Sequence, residues 1–346
     1  MISDSSATIL DSSGTTIDRR IRSLRPPKAR VDPYLAHGSV LEEERRPGGK
    51  IERALTVFLT GAECPFTCSF CDLWQWTLDG ATPPGALTRQ LESVLEVRDG
   101  WAREGQARGG AARDGVTRDA RTPDRLKLYN ASNFFDQRAV PSQDVLGIAK
   151  LAAPFDAITV ESHANTIGAK TLEFARQIPG RLEVAVGLET IHPAAALQLN
   201  KRLDLTRFDS AARFLSDNGI DLRVFVLLAA PYVPVDETVA WTVRTVEYAV
   251  ERGASVVSII PVRGGNGELE RLQGLGHFAP PTLSQLEESL DLSLQFTSAV
   301  VTADLWDVDR LPACERCRAE RVERLRRVNV SGRAESRVSC GFCGAE

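Results

Sequence analysis

From about residue 50 onward, short apolar runs rich in β-branched residues alternate with segments whose apolar residues recur every three or four positions. The runs are ALTVFLTGAE (54–63), RLKLYNAS (125–132), AITVES (157–162), LEVAVGLE (182–189), LRVFVLLAAP (222–231) and SVVSIIPVR (255–263). Few polar residues interrupt them, which predicts strands buried on both faces. TRQLESVLEV, SQDVLGIAKLAA, KTLEFARQI, TRFDSAARFLSDNG and DETVAWTVRTVEYAVERG carry the helical spacing. Asp236 marks the start of the fifth, and Gly219 and Gly253 mark the ends of the fourth and fifth. Six strand-then-helix units imply a parallel α/β sheet with right-handed crossovers, either doubly wound or barrel-like. Residues 282–308 add a helix and a short apolar strand, AVVTADLW.

Two stretches break this rhythm. The first 20 or so residues are Ser, Thr and Asp without apolar periodicity, so 1–49 is expected to be a flexible tail and lead-in. Residues 98–120 repeat every five positions with Arg first, a period that fits neither helix nor strand and predicts a flexible Arg/Gly insertion. The chain has 346 residues, 43% of them hydrophobic, enough for one large domain with appendages. No run is long and apolar enough for a membrane span, and the first residues lack the pattern of a signal peptide, so a cytoplasmic protein without membrane contact is expected. A net charge of −4 gives no general attraction for nucleic acid.

The 7 cysteines fall into two groups. In ECPFTCSFCDLW (63–74), Cys64, Cys68 and Cys71 follow the first strand, where parallel α/β folds build their sites. A structural tetrahedral site takes four ligands, so three thiols point to a centre that keeps one position open: a zinc, or an iron–sulfur cluster with one uncapped iron.

The spacing CxxxCxΦC, with Phe70 as the aromatic, resembles the signature of the radical S-adenosylmethionine (SAM) superfamily. The resemblance runs over about 50–300 and implies a partial (β/α)6 TIM-like barrel of parallel strands. It also implies a 4Fe–4S cluster on Cys64, Cys68 and Cys71 whose free iron binds SAM, reductive cleavage of SAM to a 5′-deoxyadenosyl radical, and hydrogen abstraction from a substrate. Phe70 matches the adenine contact, and Asn130, Ala131 and Ser132 the small-residue segment that accepts the SAM amino group. Glu161 in VES matches an acidic SAM contact, Glu189 in GLET the ribose-binding position, and Lys201 in LNK the partner of the SAM carboxylate. Phe225 stands where relatives often have an aspartate on the ribose. In whole phrases (YNASNFFD, GLET, VFVLLAAP, NGELERLQGLGHFAPPTL) the chain resembles the radical subunit of archaeosine synthase and its bacterial look-alikes. The resemblance further implies a reduced ferredoxin- or flavodoxin-type electron donor.

Loop residues beyond the strands are the candidates to face substrate: Asn133, Asp136, His163, Asn165, Arg263 and Asn266, with His163, Arg263 and Asn266 as catalytic candidates. The substrate is expected to be a small biosynthetic molecule or a nucleoside, including one in tRNA.

Cys314, Cys317, Cys340 and Cys343 form two CxxC knuckles in 301–346, a closed set of four that suits zinc or an auxiliary 4Fe–4S cluster. Counting 310–337 gives nine Arg against four Glu, with Glu320/Arg324 and Glu323/Arg327 at i,i+4 spacing. A salt-bridged solvated face and an RNA contact both remain open. The competing function is a zinc-stabilised RNA-binding module without turnover.

Overall fold

A computed structural model describes residues 16–107, 123–296 and 299–344. The strands, in chain order, are β1 (Gly38–Arg45), β2 (Ile51–Phe58), β3 (Arg125–Tyr129), β4 (Ala157–Ser162), β5 (Arg181–Glu189), β6 (Asp221–Leu228), β7 (Ala254–Pro261) and β8 (Val300–Ala303). They form one sheet in that same order; β1 runs antiparallel to β2 and every later pair is parallel. Since the order never reverses, successive right-handed crossovers place their helices on one face, and the sheet curls into a nearly closed barrel. Six crossovers are the expected ones, and β8 is the expected short apolar strand.

The helices are α1 (Thr16–Leu24), α2 (Ala86–Ala107), α3 (Ser142–Leu151), α4 (Ala169–Gln177), α5 (Pro193–Gln198), α6 (Leu205–Asp217), α7 (Thr238–Glu251), α8 (Glu268–Gly274), α9 (Leu283–Phe296) and α10 (Arg318–Ser331). Val57, Leu128, Ile158, Val184, Val224 and Ile259 point from the strands into a continuous core with Phe174, Phe208, Leu215 and Leu290 of the helices. Gly219 and Gly253 have φ of +66° and +88° and end α6 and α7 as expected. Asp236 lies in a 3-10 turn just before α7, whose cap position is Glu237, without a side-chain cap bond.

Three expectations change. First, the strands are buried on both faces as expected, but the face turned into the barrel carries far more charge than the few polar interruptions suggest. That face holds a charged plug: Glu44, Glu52 and Glu183 against Arg46, Lys127, Arg125 and Arg223, with the exposed Glu42 of β1 as a fourth acid. Arg46 meets Glu183 at 2.5 Å, Arg125 meets Glu52 at 3.0 Å, and Arg223 bridges Glu183 and Glu44 at 2.9 and 2.7 Å. Lys127 reaches Glu42 at 2.5 Å. Burial opposes ionisation of Glu44, but Arg223 and Lys127 overcome it and hold its pKa at about 2. A barrel interior is enclosed by its own sheet, so it admits charges that the helix-covered face cannot, provided they are paired.

Second, the stretch 1–49 contributes two ordered elements, α1 and the edge strand β1; residues 1–15 lie outside the described residues. Third, α2 runs through the start of the Arg/Gly repeat to Ala107, while 108–122 lie outside the described residues. Extending a helix already nucleated costs only about 1 kcal/mol per glycine, so the repeat need not stop it.

The C-terminal segment covers the barrel's seam. Helix α10 packs on both edge strands, β1 and β8. Asn329 exchanges hydrogen bonds with the Ala303 backbone at 2.9 and 2.8 Å, and Arg45 donates to the Val330 carbonyl at 3.4 Å. No helix among the described residues is long and apolar enough to cross a membrane.

Candidate active site at the carboxyl ends of the strands

The cysteine loop leaves β2 and is held from several sides. Asn266 is buried, and its amide donates to the carbonyls of Ser69 (2.9 Å) and Cys71 (3.2 Å) while its oxygen accepts from Leu269 N–H (2.8 Å). Ser69 N–H donates to the Leu199 carbonyl at 2.9 Å. Asn133 donates to Cys64 Sγ at 3.6 Å and accepts from His163 N–H at 2.6 Å.

The thiols are shielded. Burial raises the pKa of Cys64 and Cys71 and pushes that of Cys68 up to about 12, against the pull of the Lys201 charge on Cys64 and Cys68. Bare thiolates are unfavourable here, so a positively charged centre is what would ionise them. Among the described residues, the only His, Cys, Asp or Glu group gathered closely enough to share one metal ion is the C-terminal one.

Helix α1 adds a clamp that sequence reading missed. Asp18, 4% exposed, accepts from the Thr67 hydroxyl, from Asn200 Nδ2 at 2.8 Å and from Arg202 at 2.6 Å. It thereby ties the cysteine loop to the turn that carries Lys201. Arg20 pairs with Glu268 at 2.9 Å, and Arg25 and Lys28 hold Glu63 beside Cys64 at 2.7 and 3.2 Å. Asp18 sits at the edge of a polar, non-periodic segment, so no local pattern marks it.

Around the mouth, Lys201 Nζ meets Glu189 Oε1 at 2.6 Å and lies 5.8 Å from the Phe70 ring centre. Burial works against the lysine's charge, but Glu189 and Cys68 hold its pKa above the ordinary value. Glu161 accepts from Asn130 N–H at 2.6 Å. Burial raises its pKa to about 7, opposed by the backbone N–H groups of Asn130, Ala131 and Ser132. The side-chain amide of Asn130 and the hydroxyl of Ser132 are buried without protein partners. Ala131, Glu189, Asn200 and Arg202 all have left-handed φ, between 53° and 71°. Backbone of that kind concentrates at ligand sites because the surrounding structure must hold it in place.

These features fit SAM at the level of donor and acceptor types. Lys201 offers a cation for a carboxylate, Glu189 an acceptor for hydroxyls, and Asn130 and Ser132 unused polar atoms for a polar ligand. The structure brings Phe70, Asn130, Ala131, Ser132, Glu161, Glu189 and Lys201 to the same end of the barrel as the cysteine loop.

The catalytic candidates fare differently. His163 stacks on Phe66 of the cysteine loop at 4.2 Å, its Nδ1 accepts from Asn165 N–H at 3.2 Å, and its Nε2 contacts the Lys201 carbonyl at 3.0 Å. Burial and the Lys201 charge lower its pKa to about 3. Both ring nitrogens are thus engaged within the protein, and the ring braces the turn that carries Lys201. Asn266 clamps the loop, as described above. Arg263 is tied to Asp304 at 2.5 Å and to the Trp306 carbonyl at 2.7 Å, at the rim of a cleft that also includes Arg310 and Asp307.

At the far end, the sulfurs of Cys314, Cys317, Cys340 and Cys343 lie within 4.8 Å of one another, and those of Cys317 and Cys343 are 3.9 Å apart. The N–H groups of Cys343 and Phe342 lower the Cys340 thiol to about 7, toward the thiolate a metal takes. The arginines of α10 are paired with carboxylates of the protein. Arg321 and Arg324 are buried on Glu287 and Asp291, Arg327 pairs with Glu335, and Arg326 with Glu323. In place of the expected i,i+4 pairs, Arg324 reaches Asp291 of α9, Arg327 reaches Glu335 beyond the end of α10, and Glu323 takes Arg326.

No protein-family model matches the chain, and no curated protein sequence matches it. Among solved structures it is similar to a radical SAM methyltransferase from Sphaerobacter thermophilus (15% identity, TM-score 0.49, covering 84% of this chain and 79% of that one). It is also similar to the Elp3 of Methanocaldococcus infernus lacking residues 1–46 (11%, TM-score 0.45, 60% of this chain). A third is coproporphyrinogen III oxidase of Escherichia coli, described as a radical SAM enzyme (11%, TM-score 0.40, 66% of this chain). The match spans only 51% and 49% of the last two.

Proposed function

We propose that this chain is a radical SAM enzyme, with Cys64, Cys68 and Cys71 as ligands of a 4Fe–4S cluster. The observation that carries the reading is the half-buried three-thiol loop at the carboxyl end of a parallel barrel, with the Lys201–Glu189 pair beside it. When bound, the cluster would supply an electron for cleavage of SAM into methionine and a hydrogen-abstracting 5′-deoxyadenosyl group. The protein's own part is to position and to exclude water. Lys201 would hold the SAM carboxylate, Glu189 the ribose hydroxyls and Phe70 the adenine, while Asn266, Asn133 and Asp18 hold the loop. His163, neutral and doubly bonded, keeps Lys201's turn against Phe66. A reduced ferredoxin- or flavodoxin-type protein would supply the electron.

The C-terminal site is best read as zinc. Four thiolates about 2.3 Å from one ion stand about 3.8 Å apart, close to the Cys317–Cys343 separation of 3.9 Å. In a cubane cluster the thiolates cap different irons held apart by sulfides, so their sulfurs stand farther off. The RNA-binding alternative loses its main support because the α10 arginines are paired within the protein.

The test is anaerobic reconstitution with iron, sulfide and zinc, followed by metal analysis and reductive incubation with SAM. About four irons and one zinc per chain are expected, with release of methionine and 5′-deoxyadenosine that is lost on Cys68→Ala. A chain that takes up zinc at both sites and no iron would overturn the proposal.

A further inference from the structure

Resting on that catalytic reading, we propose that an aromatic patch of the barrel mouth is the substrate subsite and takes a planar, unsaturated, uncharged ring. The strands are otherwise mostly buried, yet near the carboxyl ends of successive ones a single inward residue is only partly covered: Phe58, Tyr129, Glu161, Gly187, Phe225 and Ile260. Register links them round the lumen, with Phe58 opposite Tyr129 and Gly187 opposite Phe225. Glu161 and Gly187 belong to the polar side already assigned to SAM. The others form a separate apolar side.

The rings there are neighbours: Phe58 and Trp306 at 5.3 Å, Phe58 and Tyr129 at 6.3 Å, Tyr129 and Phe225 at 6.1 Å between centres. Trp306 remains 55% exposed, so the group reaches the opening. Aromatic faces left partly bare inside a barrel favour a stacking partner.

The charges nearby define what that partner is. Lys127 Nζ lies 5.9 Å from the Tyr129 ring, which disfavours a cationic ligand. At the rim, Arg263 is engaged by Asp304, and Arg310 reaches Asp307 at 3.7 Å, so no free cation waits for an anion. Stacking is what remains. Phe225 then has a purpose: it presents a ring face to substrate.

The experiment is equilibrium dialysis on the reconstituted holoprotein saturated with SAM, which occupies the adenine site. The probes are N-acetyltryptophanamide and guanosine, for rings borne by aromatic amino acids and by nucleosides, with N-acetylcyclohexylalaninamide as the non-planar control. At least one planar probe is expected to bind, more tightly than the control, and to bind about tenfold more weakly to Phe225→Leu and to Trp306→Leu. Trp306 is exposed, so its variant keeps the test valid if Phe225→Leu misfolds. Which probe binds tells which source the ring comes from. Absence of planar binding, equal binding of the control, or unchanged affinity in the folded variants overturns the subsite. Cluster absorbance in the same samples separates the two proposals: ring binding without a cluster leaves the subsite standing and removes the catalytic reading.

Discussion

At Gly187 a β-carbon would lie 2.1 Å from Glu189 Oε1 and 2.7 Å from Lys201 Nζ, nearer than a real contact allows. The missing side chain is what lets the buried pair close. Gly187→Ala is therefore expected to separate Lys201 from Glu189 and to weaken SAM binding by about tenfold or more, the loss of a charge-assisted contact or two; dialysis with SAM checks it, and an unchanged affinity would show that the pair does not serve SAM. Glu44 provides a second test at this scale. Its pKa is lowered from 4.5 to about 2, so the unfolded chain binds the extra proton first and stability falls as pH drops through that window. Acid unfolding of the wild type should steepen between pH 4.5 and 2, and Glu44→Gln should flatten it; identical profiles would remove the plug from the account of acid stability. Cys64, Cys68, Cys71 and Phe70 were legible because their spacing is a local fact. The pairing that Gly187 permits was not, because it joins residues through the folded turn.

Helix α1 shows how an element can matter without any periodic signal. Asp18 accepts from Thr67, Asn200 and Arg202, and Gly267 gives room to the Leu24 carbonyl, which would sit 1.9 Å from an added β-carbon. Asp18→Ala removes the acceptor of the buried Thr67 hydroxyl and of the half-exposed Arg202, while Asn200 keeps the Thr67 carbonyl, an expected loss of about 1–3 kcal/mol. Oxygen sensitivity of the cluster should rise in that variant while the C-terminal zinc is kept; a cluster decaying at the wild-type rate would count against the clamp. Strands β2 to β7 were readable from apolar runs, because burial against helices selects β-branched residues at every second place. Their inward charges look like interruptions in the sequence and acquire a partner only across the barrel. Glu183→Gln, which removes the carboxylate charge that Arg46 and Arg223 share and leaves them only Glu44 and Glu52, is expected to cost about 3–5 kcal/mol in denaturant unfolding. A cost near zero would mean that water serves those arginines equally well.

For the molecule as a whole, the proposed four-cysteine metal site would act as a fastener for the barrel. Helix α10 follows the first knuckle and covers the gap between β1 and β8, so removing the metal should loosen the seam rather than the cysteine loop. Treatment with a zinc chelator is expected to lower the melting temperature and speed amide exchange in β1 and β8, leaving exchange in β4 and β5 nearly unchanged. Uniform acceleration across the sheet would argue for a global role instead.

Periodicity, cysteine spacing and glycine stops by themselves determined a parallel α/β chain, a three-thiol loop after a strand and a four-thiol close, since each depends on residues near one another in sequence. Only the tertiary structure decided that the barrel holds a plug of paired charges, that Asp18 and Asn266 grip the cysteine loop, that both ring nitrogens of His163 are engaged within the protein, and that the α10 arginines pair with carboxylates. Those are contacts between residues far apart along the chain, and partner choice for a charge or an amide is set by where the fold brings it, not by its neighbours in sequence.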